Sequence, residues 1–533
     1  MFFNSRRSTV HATHGMVATS QPLAAMAGLR VLMDGGNAVD AAVATAATLN
    51  VVEPMSTGVG GDVFALIWKA ADKEVLALNG SGRAPMAATI EDLQAKGHRR
   101  MPAFGPLSVS VPGTVHGWEV LLKSEGTMTL ADALAPAIDY AENGFPVSDI
   151  IGFQWKQQED KLAALPSGQE MLVNGRAPRE GDLMRLPTLA RTLRAVAEGG
   201  SEAFYTGPIA AAMADFVQEQ GGWLSEQDLA AHRSDWDEPI STDYRGVTCW
   251  ECPPNGQGII ALEALNIVEG FDVAGMGPQS VDRYHHLIEA TRLGFADAFE
   301  YLADPRCAEV PIDGWISKEY ARWRRTLIDP ERAMDSAPYG RMVPGSDTVY
   351  ISVIDGAGNA CSLINSVFAN FGSGLVAPGT GIVLHNRASL FSAVPGHPNA
   401  LTGGKRPFHT IIPAMATRDG ELWLSYGVMG GFMQPQGHLQ VITNMVDFGM
   451  DAQDALNALR FQIAGDGVWL EGDVDQDVVT GLHRRGHHVN VMHGPQRGGA
   501  GGMGGGQIIS RDPDSGVLSG GSEPRKDGAA VGW

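Results

Sequence analysis

Residues 38–52 read AVDAAVATAATLNVV, a run in which alanine fills positions that an ordinary amphipathic helix would leave to charged residues. Alanine favours the helix, and alanine all the way round leaves no polar face for water, so the segment is a buried helix packed closely on something flat. It runs into EPMSTGVGGDVFALIW, where a turn holding Gly58, Gly60 and Gly61 leads into a strand from Val63 to Trp68.

The rest of the chain sorts by periodicity. Helical patterns dominate from about Thr129 to Arg325, with one strand-like island at Gly246 to Cys252. DPERAMDSAPYGRMVPGSD has no periodicity and reads as a linker or loop. After it the strand-like runs VYISVID, NACSLINSVF, GIVLHN, ELWLSYGV, QIIS and GVLSGG follow, interrupted by the helical PQGHLQVITNMVDFG and AQDALNALR. Strands gathered at both ends of a helical middle predict one α+β unit whose sheets are assembled from distant segments.

With 533 residues the chain could hold roughly two to four domains by length alone. Its formal charge of −21, without a basic cluster, argues against a nucleic-acid or anionic-membrane partner. No segment approaches the about 18 uninterrupted apolar residues of a membrane span, and the N-terminus lacks a signal-peptide core, so a cytoplasmic, soluble protein is expected. Four cysteines are too few for a disulfide framework. Cys249 and Cys252 sit in an apparent strand, where residues three apart point to opposite faces, and are expected to be free thiols. Two motifs are discounted. The glycine pattern from Gly499 to Gly504 precedes a strand and not the helix that a dinucleotide site needs. His285 and His286 are helix neighbours about 100 degrees apart and cannot share a metal.

The chemistry gathers around PGSDTVYISVIDGAGN, where a strand begins on Thr348 directly behind the polar loop. A threonine hydroxyl becomes a good nucleophile when its own α-amine, freed by cutting the preceding peptide bond, acts as the base. An α-amine titrates at about 7.7 to 8.0, so part of it is unprotonated near neutrality. Eighteen residues on, Ser366 falls on the next strand, where an antiparallel neighbour brings its hydroxyl to Thr348. Gly430 and Gly431 lie between a strand and a helix, a place where backbone N–H groups can converge on an oxyanion.

Ten segments in order carry a resemblance: GGNAVDAAVATAATLNVVEP, GVGGDVF, SVPGTVHGW, AFYTGPIA, HHLIEATRLGFADAFEYLADP, DTVYISVIDGAGN, FGSG, KRPFHTIIPAM, GVMGGFMQPQG and GSEPRKDGAAVGW. Together they resemble the γ-glutamyltranspeptidase family of N-terminal nucleophile hydrolases, across nearly the whole chain. The resemblance implies a four-layer αββα sandwich. It also implies a precursor cut between Asp347 and Thr348 into a large subunit, residues 1–347, and a small one, 348–533, which stay intertwined and could pair further as a dimer of heterodimers. It assigns Thr348 as nucleophile, Ser366 as its supporting hydroxyl and Gly430 with Gly431 as the oxyanion pair. No metal or organic cofactor is implied.

The positions that contact the γ-glutamyl head group depart from the family pattern. The arginine for the donor carboxylate becomes Ile90, and the acid for its α-amine becomes Leu390. An asparagine becomes Phe368, a glutamine becomes Arg387, and the serine pair of the carboxylate clamp becomes His409 and Thr410. An ammonium buried against Leu390 loses its counter-charge at a cost of several kcal/mol, which disfavours glutathione. Arg387, His409, Thr410, Phe368 and Asn386 are the substrate-binding candidates, for a small anionic amide whose carboxylate pairs with Arg387. The wording of the motifs is nearest in style to the oxamate amidohydrolase branch, so hydrolysis of oxamate to oxalate and ammonia is the expected reaction. A true γ-glutamyltransferase, a cephalosporin-type acylase and an unprocessed binding scaffold are the alternatives.

Overall fold

The computed structural model describes residues 7–335, 348–493 and 502–533. Two seven-stranded sheets dominate it. One runs in the order Val10–Ala12, Leu518–Ser522, Gly505–Arg511, Glu421–Met429, Ala414–Arg418, Val247–Glu251 and Ile240–Tyr244. The other runs Ala529–Gly532, Met16–Thr19, Val349–Ile354, Ala360–Ser366, Asp62–Lys69, Glu74–Gly80 and Asp235–Asp237. Each therefore mixes strands from before and after the polar loop, as the distribution of strands in the sequence predicts.

Strand alternation divides the core. In Val349–Ile354, the side chains of Val349, Ile351 and Val353 pack with the alanine-rich helix, which spans Ala38–Val52 and is buried throughout. Tyr350 and Ile354 point the other way, to a cluster where they meet Met415, Met429 and Ile509 of the opposite sheet. The far face of that opposite sheet, through Ala414, Leu424 and Val428, packs on the helices Gly258–Val268, Val281–Tyr301 and Met433–Phe448.

The expected strand from Val63 is observed as Asp62–Lys69 and the one from Thr348 as Val349–Ile354. The GIVLHN run is reduced to Ile382–Val383; the strand-like island pairs with Ile240–Tyr244, while Asp235–Asp237 edges the other sheet beside Glu74–Gly80, each too short to carry a clear alternation. A three-stranded sheet, Phe461–Ala464, Gly467–Glu471 and Val489–Met492, was not anticipated. Cys249 and Cys252 do face opposite sides, one in the sheet–helix core and one between the sheets, and all four cysteines are free. His285 bonds His487 and the Asp329 carbonyl while His286 bonds the Asp282 carbonyl, so the two rings serve separate contacts. Gly505–Arg511 is a strand, and residues 494–501 of the glycine-rich run lie outside the described residues.

Candidate active site

Thr348 is fully buried at the head of its strand. Antiparallel pairing of Val349 with Asn365 sets it opposite Ser366, and the Thr348 Oγ1 to Ser366 Oγ distance is 3.0 Å. Ser366 Oγ also accepts the Phe368 N–H at 2.9 Å, which fixes the hydroxyl in place. The glycine-rich turn explains itself here, because a Cβ on Gly61 would stand 2.3 Å from the Ser366 carbonyl oxygen and one on Gly60 2.2 Å from that of Val383. Asn365 donates to the Asp62 carbonyl and to Thr114 Oγ1, both at 2.8 Å, tying the nucleophile's neighbouring strand to this turn. Asp347, on the far side of the expected cut, lies outside the described residues.

Gly430 and Gly431 stand between the strand Glu421–Met429 and the helix Met433–Phe448, at φ of 122° and 60°. Both angles are costly for residues with a Cβ, so glycine is required. Their carbonyls point back into the turn: Met433 N–H bonds Gly430 O at 3.0 Å and Gln434 N–H bonds Gly431 O at 3.2 Å. Gln257 Nε2 donates to Gly431 O at 2.8 Å and to Thr410 O at 2.7 Å, a clamp on two loops at once. Neither glycine N–H has an acceptor among the described residues. Ser352 Oγ bonds Ser425 Oγ, and a Cβ on Gly427 would strike the Tyr350 ring, so each two-residue step back along one strand matches a step forward along the other.

A buried charge network adjoins Ser366, across from Thr348, through the pairing of Ser366 with Asp62. Asp62 Oδ2 accepts from His385 Nδ1 at 2.9 Å, His409 Nε2 at 3.0 Å and Arg387 Nε at 3.1 Å, while Oδ1 accepts the Gly82 N–H at 2.9 Å. Burial alone would raise the Asp62 carboxyl, but these donors hold it well below the usual carboxylate range. Burial brings the Arg387 guanidinium down to about 10, with Asp62 opposing. Burial and the Arg387 charge push His409 down to about 3, so its ring is neutral. With Nε2–H given to Asp62 and Nδ1 accepting Ile411 N–H at 3.3 Å, stacked on Phe64, His409 has both nitrogens engaged.

Arg387 is only partly satisfied. Its Nη1 donates to Thr410 Oγ1 at 2.7 Å, and its guanidinium carbon lies 4.6 Å above the Phe368 ring centroid. Its Nη2 is buried without an acceptor among the described residues. The Asp62 contact is a true ion pair, and the unmet Nη2 is a donor left over for an anion. Phe368 itself holds a φ of 72°, a left-handed conformation that costs a bulky residue about 1–3 kcal/mol.

Arg387, Thr410, His409 and Phe368 thus come together. Asn386 is adjacent, but its side chain braces backbone, donating to Ala103 O at 2.8 Å and accepting Ala369 N–H at 3.0 Å. Ile90 belongs to an apolar cluster with Leu93, Ala388, Phe391 and Leu401, and Leu390 is half-buried against apolar neighbours. Sequence reasoning missed Asp62, His385 and Gln257. Asp62 alone left a signal, as the single acid heading the apolar strand of GVGGDVF.

The model of the gamma-glutamyltranspeptidase family matches residues 24–533. The chain is 39% identical over 534 residues to a glutathione hydrolase-like YwrD proenzyme of Bacillus subtilis (strain 168), covering 98% of this chain and 99% of that protein. It is 35% identical over 535 residues to an oxamate amidohydrolase proenzyme of Klebsiella pneumoniae, with the same two coverages. A cephalosporin acylase from Bacillus halodurans has a solved structure that superposes with a TM-score of 0.93 at 46% identity, covering 100% of this chain and 98% of that one. The protein belongs to the gamma-glutamyltranspeptidase family. Within it, the chain is an enzyme of amide C–N bond hydrolysis.

Proposed function

We propose that the protein is a self-processing amidohydrolase, an αββα hydrolase with Thr348 as N-terminal nucleophile, that cleaves the amide of a small carboxylated acyl group such as oxamate. Cutting the Asp347–Thr348 peptide bond frees the α-amine of residue 348. The Thr348 hydroxyl then attacks the amide carbon, and its α-amine takes the hydroxyl proton. Gly430 and Gly431 donate to the tetrahedral oxyanion, a contribution of about 10²- to 10³-fold per donor. Collapse breaks the C–N bond, returns the proton to the departing ammonia or amine and leaves an acyl-Thr348 ester. Water hydrolyses the ester, restoring the hydroxyl.

The single observation that carries the substrate reading is the buried, unpaired Nη2 of Arg387 above Phe368. A carboxylate satisfies it, whereas the apolar Ile90 offers a γ-glutamyl α-carboxylate, and the apolar Leu390 its ammonium, no counter-charge. A longer carboxyacyl amide, of the kind an acylase would take, is the second reading, favoured by the 46% identity to the cephalosporin acylase. The test compares ammonia released from oxamate with nitroanilide released from γ-glutamyl-p-nitroanilide. Oxamate turnover that loses affinity on Arg387→Ala, with processing intact, supports the proposal; robust γ-glutamyl turnover overturns it. A single band near 56.5 kDa after long incubation excludes the mechanism altogether.

A further inference from the structure

The loop that carries Ser366 and Phe368 continues to a second cation. Lys161, in the short helix Glu159–Ala163, donates its Nζ to the carbonyls of Asn370 at 2.6 Å and Gly372 at 2.9 Å. The ammonium also lies 4.0 Å from the centroid of the Phe104 ring, and that side chain is 51% exposed, so the cluster opens to solvent. No carboxylate among the described residues forms an ion pair with Lys161. Burial without a counter-charge pulls its amine down to about 7. Beside it, Asn370 is 3% exposed, and both polar atoms of its side chain lack partners among the described residues. A buried amine with no carboxylate partner and an amide with no partner, both among the described residues, form an arrangement that an anion completes by holding the amine in its charged form.

Two links tie this cluster to the acyl pocket. Asn386, next to Arg387, bonds the carbonyl of Ala103, next to Phe104. Ser366 and Asn370 are four residues apart, a reach of at most about 14 Å from the nucleophile's partner. We propose that Lys161, Asn370 and Phe104 form a second anion-accepting subsite, so that the preferred substrate is a dianionic amide: a carboxyacyl group held at Arg387, joined to an amine whose own carboxylate is held at Lys161. This rests on the acyl reading given above, in which a short acyl group is held at Arg387 and the second cation is left to the departing amine. The bond cleaved and the proton path are unchanged; only the leaving group is specified.

The test measures kcat/KM for N-oxalylglycine and N-oxalylglycylglycine, each against its C-terminal carboxamide. At least one acid is expected to exceed its amide by tenfold or more, chiefly through KM, and Lys161→Gln is expected to reduce that ratio to within about twofold. Equal loss for acid and amide in Lys161→Gln marks Lys161 as a loop brace only and overturns the subsite, as does a wild-type enzyme without acid preference. Calorimetric binding of glycylglycine and glycylglycinamide to the processed enzyme separates the two readings. Selective binding of the acid without turnover of any oxalyl amide rejects the acyl assignment while retaining the subsite; turnover with no selectivity rejects the subsite alone.

Discussion

The two halves of the active site are built on opposite principles. The Thr348 side uses hydroxyls and backbone N–H groups, with no ionised side chain, and its geometry follows from strand register and one strand-to-helix turn. The Arg387 side is a network of fully buried charge, in which one carboxylate holds a guanidinium and two imidazoles. Groups placed by a sheet are held by many bonds at once, so the reacting atoms stay put when the neighbouring pocket changes. A buried ion network depends on each of its members, because removing one strands the charge of another. A change on the charged side is therefore expected to alter the pocket while leaving the Thr348 geometry in place.

Three experiments separate the halves. Thr348→Ala carries the largest expected effect: no self-cleavage and no turnover, read as one band on a denaturing gel and loss of ammonia release, while acid-selective ligand binding is not its target. Asp62→Asn comes next. It leaves Arg387 buried without its carboxylate, at a cost of about 3–5 kcal/mol, seen as a lowered denaturant midpoint and a raised KM for anionic amides. If Asp62→Asn instead abolishes turnover with stability and KM intact, the division between the halves fails.

The smallest effect per group is a pH slope. His409 and His438 are pushed down to about 3, His487 also to about 3 and His285 to about 4, all chiefly by burial. Their folded values lie below the unfolded value of about 6.5, so the unfolded chain binds more protons between the two. The stability they contribute is fully present above about pH 6.5 and declines as pH falls toward 3 to 4, by up to about 1.4 kcal/mol per pH unit for each histidine. Chemical denaturation at pH 7, 6 and 5 should show this steepening loss, and His438→Gln should flatten it by about one histidine's share. Stability that is level across that range would show that the rings take up protons as readily in the folded state as in the unfolded one.

Much of the catalytic half was legible in the sequence. A strand opening on Thr348, a hydroxyl on the following strand and a Gly-Gly step before a helix are local patterns, and the structure brings Thr348 and Ser366 to 3.0 Å. The alternation that separates Cys249 from Cys252 is equally local. The pocket was legible only in outline. Arg387 was read as an anion-binding group; the structure ties its Nε to Asp62 and leaves Nη2 without an acceptor among the described residues. His409 was read as a polar group for substrate, but tertiary contacts occupy both its nitrogens.

Local periodicity and backbone chemistry therefore determined the mixed helix-and-strand character, the buried alanine-rich helix and the chemistry available at Thr348, because those properties depend on neighbours within a few residues. Only the tertiary structure could decide that Asp62 meets His385, Arg387 and His409 across more than 300 residues of chain, that Gln257 clamps the Gly430–Gly431 turn, and that Lys161 has no carboxylate partner among the described residues. The physical reason is that a buried charge is defined by what surrounds it in space, and sequence separation carries no record of which strand ends are brought together.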